Sequence, residues 1–492
     1  MYRSVVAVAL GGALLLTACS SGEGGADGAA DTEVSVSEVS FGATPPKDDV
    51  IGQALKKELG LDVKLNAVGS SDDYYAQLSA SLAGGDAPDL FQVDRSRLQQ
   101  FVKQGLVLDL TKYLDSDLKQ YTAFVGKDQM KAAILDGKTY GVVKRPQYAY
   151  STYWIRKDWL DKLGLAVPKT TDDLFTVATA FTTKDPDGNG KPDTYGITGG
   201  KDADPWAPLW GGFGTGGPGA EYVEDGKIVN GYQDPDTKTA LEYVAKLVSA
   251  KVVDPDYSSS TLAQAQERAM QGKAGILCQS WPQMTKPEFT ASAKKAQPGA
   301  QWIQLAPLAG PGGPGAMAYD ENFASIYAIP AKVAKDEAKL KNIMKFVEYI
   351  SGQDGNRLVS YGIEGTHYTV ADGKVKATPK LATDGGWFWL YQLTGRDEGE
   401  YLGIKFAAQK KEIDFAAKQP LLDTYTSLVV NPNGYNQVDA DRYSNEQLVQ
   451  FISGKKPLSQ YDAFVSDLTN KFGYGKYVDS AQQQLTDLGL AK

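Results

Sequence analysis

The stretch FTTKDPDGNGKPDTYGI, residues 181–197, crowds Asp185, Asp187, Asn189 and Asp193 around Gly190. Carboxylates this close repel one another, so a merely solvated loop gains little from the pattern. A hard dication explains it, because calcium takes six to eight oxygen ligands from carboxylates, amide oxygens and main-chain carbonyls. Asp185, Asp187, Asn189, Lys191 and Asp193 fall at positions 1, 3, 5, 7 and 9 of an EF-hand-style loop, with Gly190 at position 6. Lys191 would lend only its carbonyl. Position 12, where an EF-hand has its bidentate Glu, is Gly196, so water, Thr194 or a distant carboxylate must complete the shell. A plain Asp-Gly/Asn-Gly turn cluster is the alternative. The expected cofactor is a structural Ca2+ that holds the loop ahead of the strand TYGITGG and does no chemistry.

A second set of residues suits a polyhydroxylated ligand. Flat aromatic faces meet the C–H surfaces of sugar rings, and polar tips meet hydroxyls. Trp206 and Trp210 sit in the Gly/Pro-rich stretch DPWAPLWGGFGTGGPG, where no helix or strand demands them for its core. Trp281 follows the apolar run GILCQS at its carboxyl end, and Asp94 ends DLFQVD in the same way. Trp387 and Trp389 in DGGWFWLYQL are less distinct. For each tryptophan the competing reading is core packing. A thiol nucleophile is disfavoured: Cys278 in AGILCQSW reads as a small buried hydrophobe, and His367 is the only histidine.

The elements that must position these residues alternate. EVSVSEVSF (33–41) and DVKLNAV (62–68) have strand periodicity, and PDLFQVD (88–94) is a short apolar strand. Between and after them, 48–60, 70–86 and the run RSRLQQFVKQGL read as helices, two of them stopped by Gly60 and Gly84-Gly85. Such a βαβ series predicts a parallel sheet with right-handed crossovers and a ligand beyond the carboxyl ends of its strands. DTKTALEYVAKLVSAK (236–251) and DEAKLKNIMKFVEYISG predict further helices, the latter burying Leu340, Ile343, Val347 and Ile350. The C-terminal third is mostly helical, and no internal repeat is visible.

The N-terminus, MYRSVVAVALGGALLLTACSSGEGG, has one early positive charge, an apolar core from Val5 to Leu16 and then LTAC. This is a secretory signal layout. Its ending resembles a bacterial lipoprotein cleavage box, which makes 1–18 a signal peptide, Cys19 the lipid-modified new N-terminus, and 19–32 a flexible tether rich in Gly, Ala and Ser. With Cys19 acylated, Cys278 has no partner, so no disulfide framework exists. The remaining 42% hydrophobic and 23% charged composition over 492 residues suits two or three globular units. A net charge of −9 and a pI near 5.0 argue against nucleic-acid binding.

With the lipobox, SLAGGDAPDLFQVD (81–94), GLVLDLTKYL (105–114), DGKTYGVV (136–143), WIRKDWLDKLGLAVPKTTDDL (154–174) and YGIEGTHYTV (361–370), the chain resembles family 1 extracellular solute-binding proteins of bacterial ABC importers. The resemblance implies an α/β, two-lobe periplasmic-binding-protein type fold with hinge crossings and a sugar in the interlobe cleft. It assigns 33–148 plus 316–372 to lobe 1 and 149–315 plus 373–492 to lobe 2, and puts Arg145 and Glu364 near hinge crossings as further candidate contacts. The calcium loop looks like that of oligosaccharide- and alginate-binding members. The implied partners are an oligosaccharide ligand, ABC transporter permease subunits and, through the lipid anchor, the outer face of the cytoplasmic membrane; the protein is expected to be a monomer and no enzyme. A secreted glycoside hydrolase or polysaccharide lyase is the rival, since two carboxylates suffice for glycoside cleavage. A calcium-stiffened adhesin is a second.

Overall fold

The computed structural model describes residues 32–39, 46, 48–201, 205–320 and 325–491. The signal peptide, Cys19 and the tether up to residue 31 lie outside the described residues. Among the described residues no helix is long and apolar enough to cross a membrane.

The N-terminal alternation folds as the periodicity demands. Strand β1 (Glu33–Val39) runs parallel to β2 (Asp62–Val68) on one side and to β3 (Leu90–Val93) on the other. Helix α1 (Val50–Leu59) is capped by the Asp49 carboxylate and stopped by Gly60 in the left-handed region. Ser70 caps α2 (Ser71–Gly84), and Asp94 caps α3 (Arg95–Lys103). All four residues of β3 are buried, because helices cover both faces of a parallel sheet. Its outer edge is closed by Ile326–Ala328, antiparallel to β3 and drawn from far along the chain. Helix Glu337–Ser351 buries Leu340, Ile343, Val347 and Ile350, the face its spacing predicts.

A second four-stranded sheet has the order Trp302–Leu305, Ser151–Arg156, Ala274–Ser280, Tyr195–Thr198. Ser151–Arg156 is antiparallel to both of its neighbours, whereas Tyr195–Thr198 is parallel to Ala274–Ser280. The chain leaves the first sheet after Val142, which bridges to Tyr327, and enters the second at Ser151. Alongside this crossing, the Arg145 N–H donates to the Thr394 carbonyl at 3.0 Å.

The C-terminal helices Gln437–Ile452, Tyr461–Lys471 and Tyr474–Asp487 close on an aromatic cluster in which Tyr443 stacks on Phe472 at 4.4 Å. A two-stranded pairing links the two parts of the expected division. Met317–Tyr319, assigned to lobe 1 by resemblance, pairs in parallel with Leu421–Asp423 of the part assigned to lobe 2.

Candidate functional site

A cavity of about 630 Å³ opens at the carboxyl ends of β1 and β3. One wall comes from Val39, from Ser71 and Tyr75 at the start of α2, and from Asp94, Arg95 and Ser96 at the start of α3. The opposite wall is Thr426, Ser427, Val429 and Asn431, backed by Gln437 and Tyr477 of the C-terminal helices. Asp320, Ser325 and Ile326, on the chain returning to the first sheet, form the floor. Strand ends leave main-chain groups and helix starts unpaired at one edge, which is why ligand clefts form there.

The polar groups are held in place from behind. Gln92 accepts from the Val39 N–H at 2.7 Å and donates its amide to the Ser325 hydroxyl. Asp94 accepts from the Arg97 N–H at 2.7 Å and pairs with the Arg97 guanidinium, which lies 3.6 Å from the centroid of the Tyr75 ring. Burial, and then the Asp94 charge, push the Tyr75 hydroxyl above its ordinary pKa. Arg95 is buried and donates to the carbonyls of Lys131 (3.0 Å) and Ala132 (2.8 Å); burial pulls its pKa down to about 10. The two Asp320 oxygens accept from the N–H and hydroxyl of Ser427, each at 2.8 Å, joining floor to far wall. Asn431 donates to Gln437 at 2.7 Å.

Behind the far wall lies Glu221, which is 1% exposed. Its N–H donates to the Thr426 hydroxyl at 3.0 Å, and its carbonyl accepts from the Tyr425 N–H at 2.7 Å. The carboxyl accepts from Asn230 at 2.7 Å, and burial pushes its pKa up to about 8. What the cavity presents is a set of hydroxyls, amides, carboxylates and two tyrosines, which is the chemistry of hydrogen bonding to a polyhydroxylated ligand. His367 is elsewhere and structural: its Nδ1 accepts from the Ile363 N–H at 2.9 Å, and its Nε2 faces Asp384 at 3.2 Å.

Of the residues singled out as ligand contacts, only Asp94 lines this cavity. Trp281 is corrected to core: it is 1% exposed, with Tyr150 at 5.8 Å and Phe406 at 5.4 Å packed edge-on against it. Phe406 packs edge-on against the indole instead of leaving it open. Trp206 and Trp210 are buried too, Trp206 against Tyr257 at 5.7 Å. Trp387 is half-buried against Phe388 at 4.7 Å, and the Trp389 indole N–H donates to the Gly386 carbonyl at 2.9 Å. Arg145 lies over Phe124 and 3.9 Å from Asp397, and Glu364 is on an exposed turn.

The lining residues Tyr75, Gln92, Asp320, Ser427, Asn431 and Tyr477 escaped the sequence reading. Tyr75 sits in the first turns of a helix that follows a parallel strand, and that placement was a usable signal. Nothing in the sequence near 426–431 marks a wall.

The acidic loop lies between helix Thr171–Thr183 and strand Tyr195–Thr198. The Asp185 carboxylate accepts from the N–H groups of Gly188, Asn189 and Gly190, each at 3.0 Å, wrapping the loop around itself. That turn needs Gly190 at φ +76°. Asn189 Nδ2 bridges Asp187 (2.7 Å) and Asp193 (3.1 Å), and Asp193 pairs with Lys273 at 2.6 Å. Partial burial and then the Asp185 and Asp193 charges push the Asp187 pKa up. Among the described residues no three His, Cys, Asp or Glu side chains are grouped so as to hold a metal by themselves. The Asn189 amide oxygen and the Lys191 carbonyl would have to join the carboxylates, and these oxygen donors are the kind calcium takes.

The family model of bacterial extracellular solute-binding proteins matches residues 43–357. The polygalacturonan/rhamnogalacturonan-binding protein YtcQ of Bacillus subtilis is 29% identical over 386 residues, 75% of this chain and 74% of that protein. Two solved structures share the two-lobe α/β fold. One is an HMO-binding, ABC-transporter-associated solute-binding protein from Bifidobacterium longum infantis, with a TM-score of 0.71 at 20% identity over 94% of this chain and 100% of that one. The other is an EF-hand mutant of the substrate-binding protein FusA from Streptococcus pneumoniae in complex with fructo-nystose, with a TM-score of 0.69 at 18% identity, covering 93% and 99%. The chain therefore belongs to the bacterial extracellular solute-binding proteins, and its task is to hold a solute rather than to transform one.

Proposed function

We propose that this protein captures an oligosaccharide in the cavity at the carboxyl ends of β1 and β3 and delivers it to the permease subunits of a carbohydrate ABC importer. The observation that carries the reading is the cavity itself: its walls come from sequence-distant elements and present hydroxyls, amides and carboxylates together with two tyrosines. The saccharides named for YtcQ and for the FusA complex support the same ligand class. A ligand that touches both walls favours a closed form by its differential affinity, so binding closes the cleft with no bond broken. The lobe division given above, with Met317–Tyr319 moved to the second lobe, is the frame for that motion.

The finer parts of the reading are that Cys19 is lipidated and tethers a monomer to the outer face of the cytoplasmic membrane, and that Ca2+ stiffens the loop from Asp185 to Asp193. An EF-hand named in the FusA structure supports the second part. Calorimetry against a panel of oligosaccharides, with chromatography of the recovered sugar, tests the function. Intact sugar bound with a defined stoichiometry is expected; cleaved product would restore the hydrolase or lyase reading. Cys19→Ala should release the protein from the membrane or leave an unprocessed precursor.

A further inference from the structure

We propose that Arg97 is a positioning residue for ligand binding: it touches no sugar itself and acts by holding the Tyr75 ring as a fixed face of the cavity. This rests on the oligosaccharide reading above. Tyr75 and Tyr477 are the aromatic residues on the described lining, and Arg97 is not on it. The Arg97 guanidinium lies 3.6 Å from the centroid of the Tyr75 ring, the spacing of one flat group laid on another. Tyr74 packs against the same ring in a T-shaped arrangement at 5.1 Å. Tyr74 is itself fixed, because its hydroxyl donates to the carbonyls of Ser37 (3.0 Å) and Gln92 (2.8 Å). The Arg97 side chain is held in turn by the Asp94 carboxylate. With one face of Tyr75 covered by the guanidinium, the opposite face is left for a ligand.

The place of Arg97 in its own helix shows that stabilising α3 is not its purpose. Asp94 is the N-cap, so Arg97 is the third residue of the helix. Glu or Gln there would reach back to the main chain of the cap, and the helix dipole favours negative charge in the first turn. A cation at that position works against both. Its pair with Asp94 is half-exposed and returns little. What arginine supplies there, and a smaller or rounder side chain does not, is a flat plate for the tyrosine. A sugar that stacks on a loose tyrosine must order that side chain as it binds, which weakens affinity about 2- to 12-fold; a clamped ring spares that loss.

The test is a double-mutant cycle on the full chain, read by calorimetry. The probe is whichever of a set of gluco-, galacto-, xylo- and fructo-oligosaccharides and oligogalacturonates binds the parent most tightly. Tyr75→Ala should weaken that probe at least about tenfold, the loss of an apolar face. Arg97→Gln should weaken it about fivefold, with the melting temperature within about 2 °C of the parent. In the Tyr75→Ala background the same Arg97→Gln change should alter affinity by less than about twofold, since the ring it positions is gone. Arg97→Lys keeps a charge beside Asp94 without the flat stack and should behave like Arg97→Gln. Parental affinity in Tyr75→Ala overturns the proposal. So does an equal loss from Arg97→Gln in both backgrounds, which would give Arg97 a contact of its own, or full affinity in Arg97→Lys, which would leave charge as the cause. Each of these leaves the oligosaccharide reading intact. A parent that binds none of the sugars overturns that reading, and the positioning role falls with it.

Discussion

Replacing Trp281 separates a core residue from a cleft wall. The indole is 1% exposed and makes edge-on contacts with Tyr150 and Phe406. Truncating a buried tryptophan to alanine costs about 3–5 kcal/mol, including the cavity it leaves. Two aromatic pairs, each worth about 0.5–1.5 kcal/mol beyond burial, push toward the upper end. Against this, the indole N–H has no hydrogen-bond partner, and removing a buried unsatisfied donor returns about 1–3 kcal/mol. The expected net loss for Trp281→Ala is therefore about 3 kcal/mol. Trp281→Phe keeps most of the packing and deletes the orphaned donor, so it should stay within about 1.5 kcal/mol of the parent. Urea unfolding followed by far-ultraviolet circular dichroism reads both, with sugar affinity measured on the folded fraction. An alanine variant that unfolds at the parental urea midpoint yet binds sugar tenfold more weakly or worse would refute the core assignment.

Glu221 titrates from 4.5 unfolded to about 8 folded, so between those values the native state holds a proton that the unfolded chain has released. Stability should fall as pH rises through that window and level off above it. Glu221→Gln should abolish a pH-dependent loss of about 5 kcal/mol, read as parent minus variant in urea titrations from pH 4 to 9. Gly275→Ala puts a methyl 2.2 Å from Phe181 Cδ2 and 2.9 Å from Trp159 Cε3, and should cost about 1–3 kcal/mol in the same assay. Chelation should lower the melting temperature of the parent, by the equivalent of about 2.7 kcal/mol where calcium stood at a hundred times its dissociation constant. Asp187→Ala should be insensitive to chelator, and an unchanged parental melting curve would dismiss the calcium loop.

The first sheet and its helices were legible because their signals are local. Gly60 and Gly85 end two helices where the pattern puts their stops, while Asp94, read as a ligand contact at a strand end, also caps the helix that follows it. The buried face of Glu337–Ser351 followed from spacing alone. Trp206, Trp210 and Trp281, expected at a cleft, are buried, because tryptophan serves core and cleft equally well. A glycine-rich stretch looks open in sequence, yet Gly217 lies so close to Trp210 that a Cβ would sit 2.6 Å from its ring. Those glycines let the loop fold down onto the indole. The far wall at 426–431 is set by pairing of Tyr425 with Glu221 and by the Asp320–Ser427 bonds, which join residues about a hundred or more positions apart. Long-range pairing of that kind leaves no local pattern to read.

The edge strand Ile326–Ala328 has a consequence for the order of events in the cell. Until those residues are made, the edge of β3 that they cover has no strand to pair with it, and Ile326, Tyr327 and Ala328 are missing from the core they fill. The first sheet therefore cannot finish until about two-thirds of the chain has been made, and contacts this distant in sequence form slowly. Were the chain exported unfolded through a narrow channel, that delay would leave the sheet open until the middle of the chain had followed its beginning to the far side.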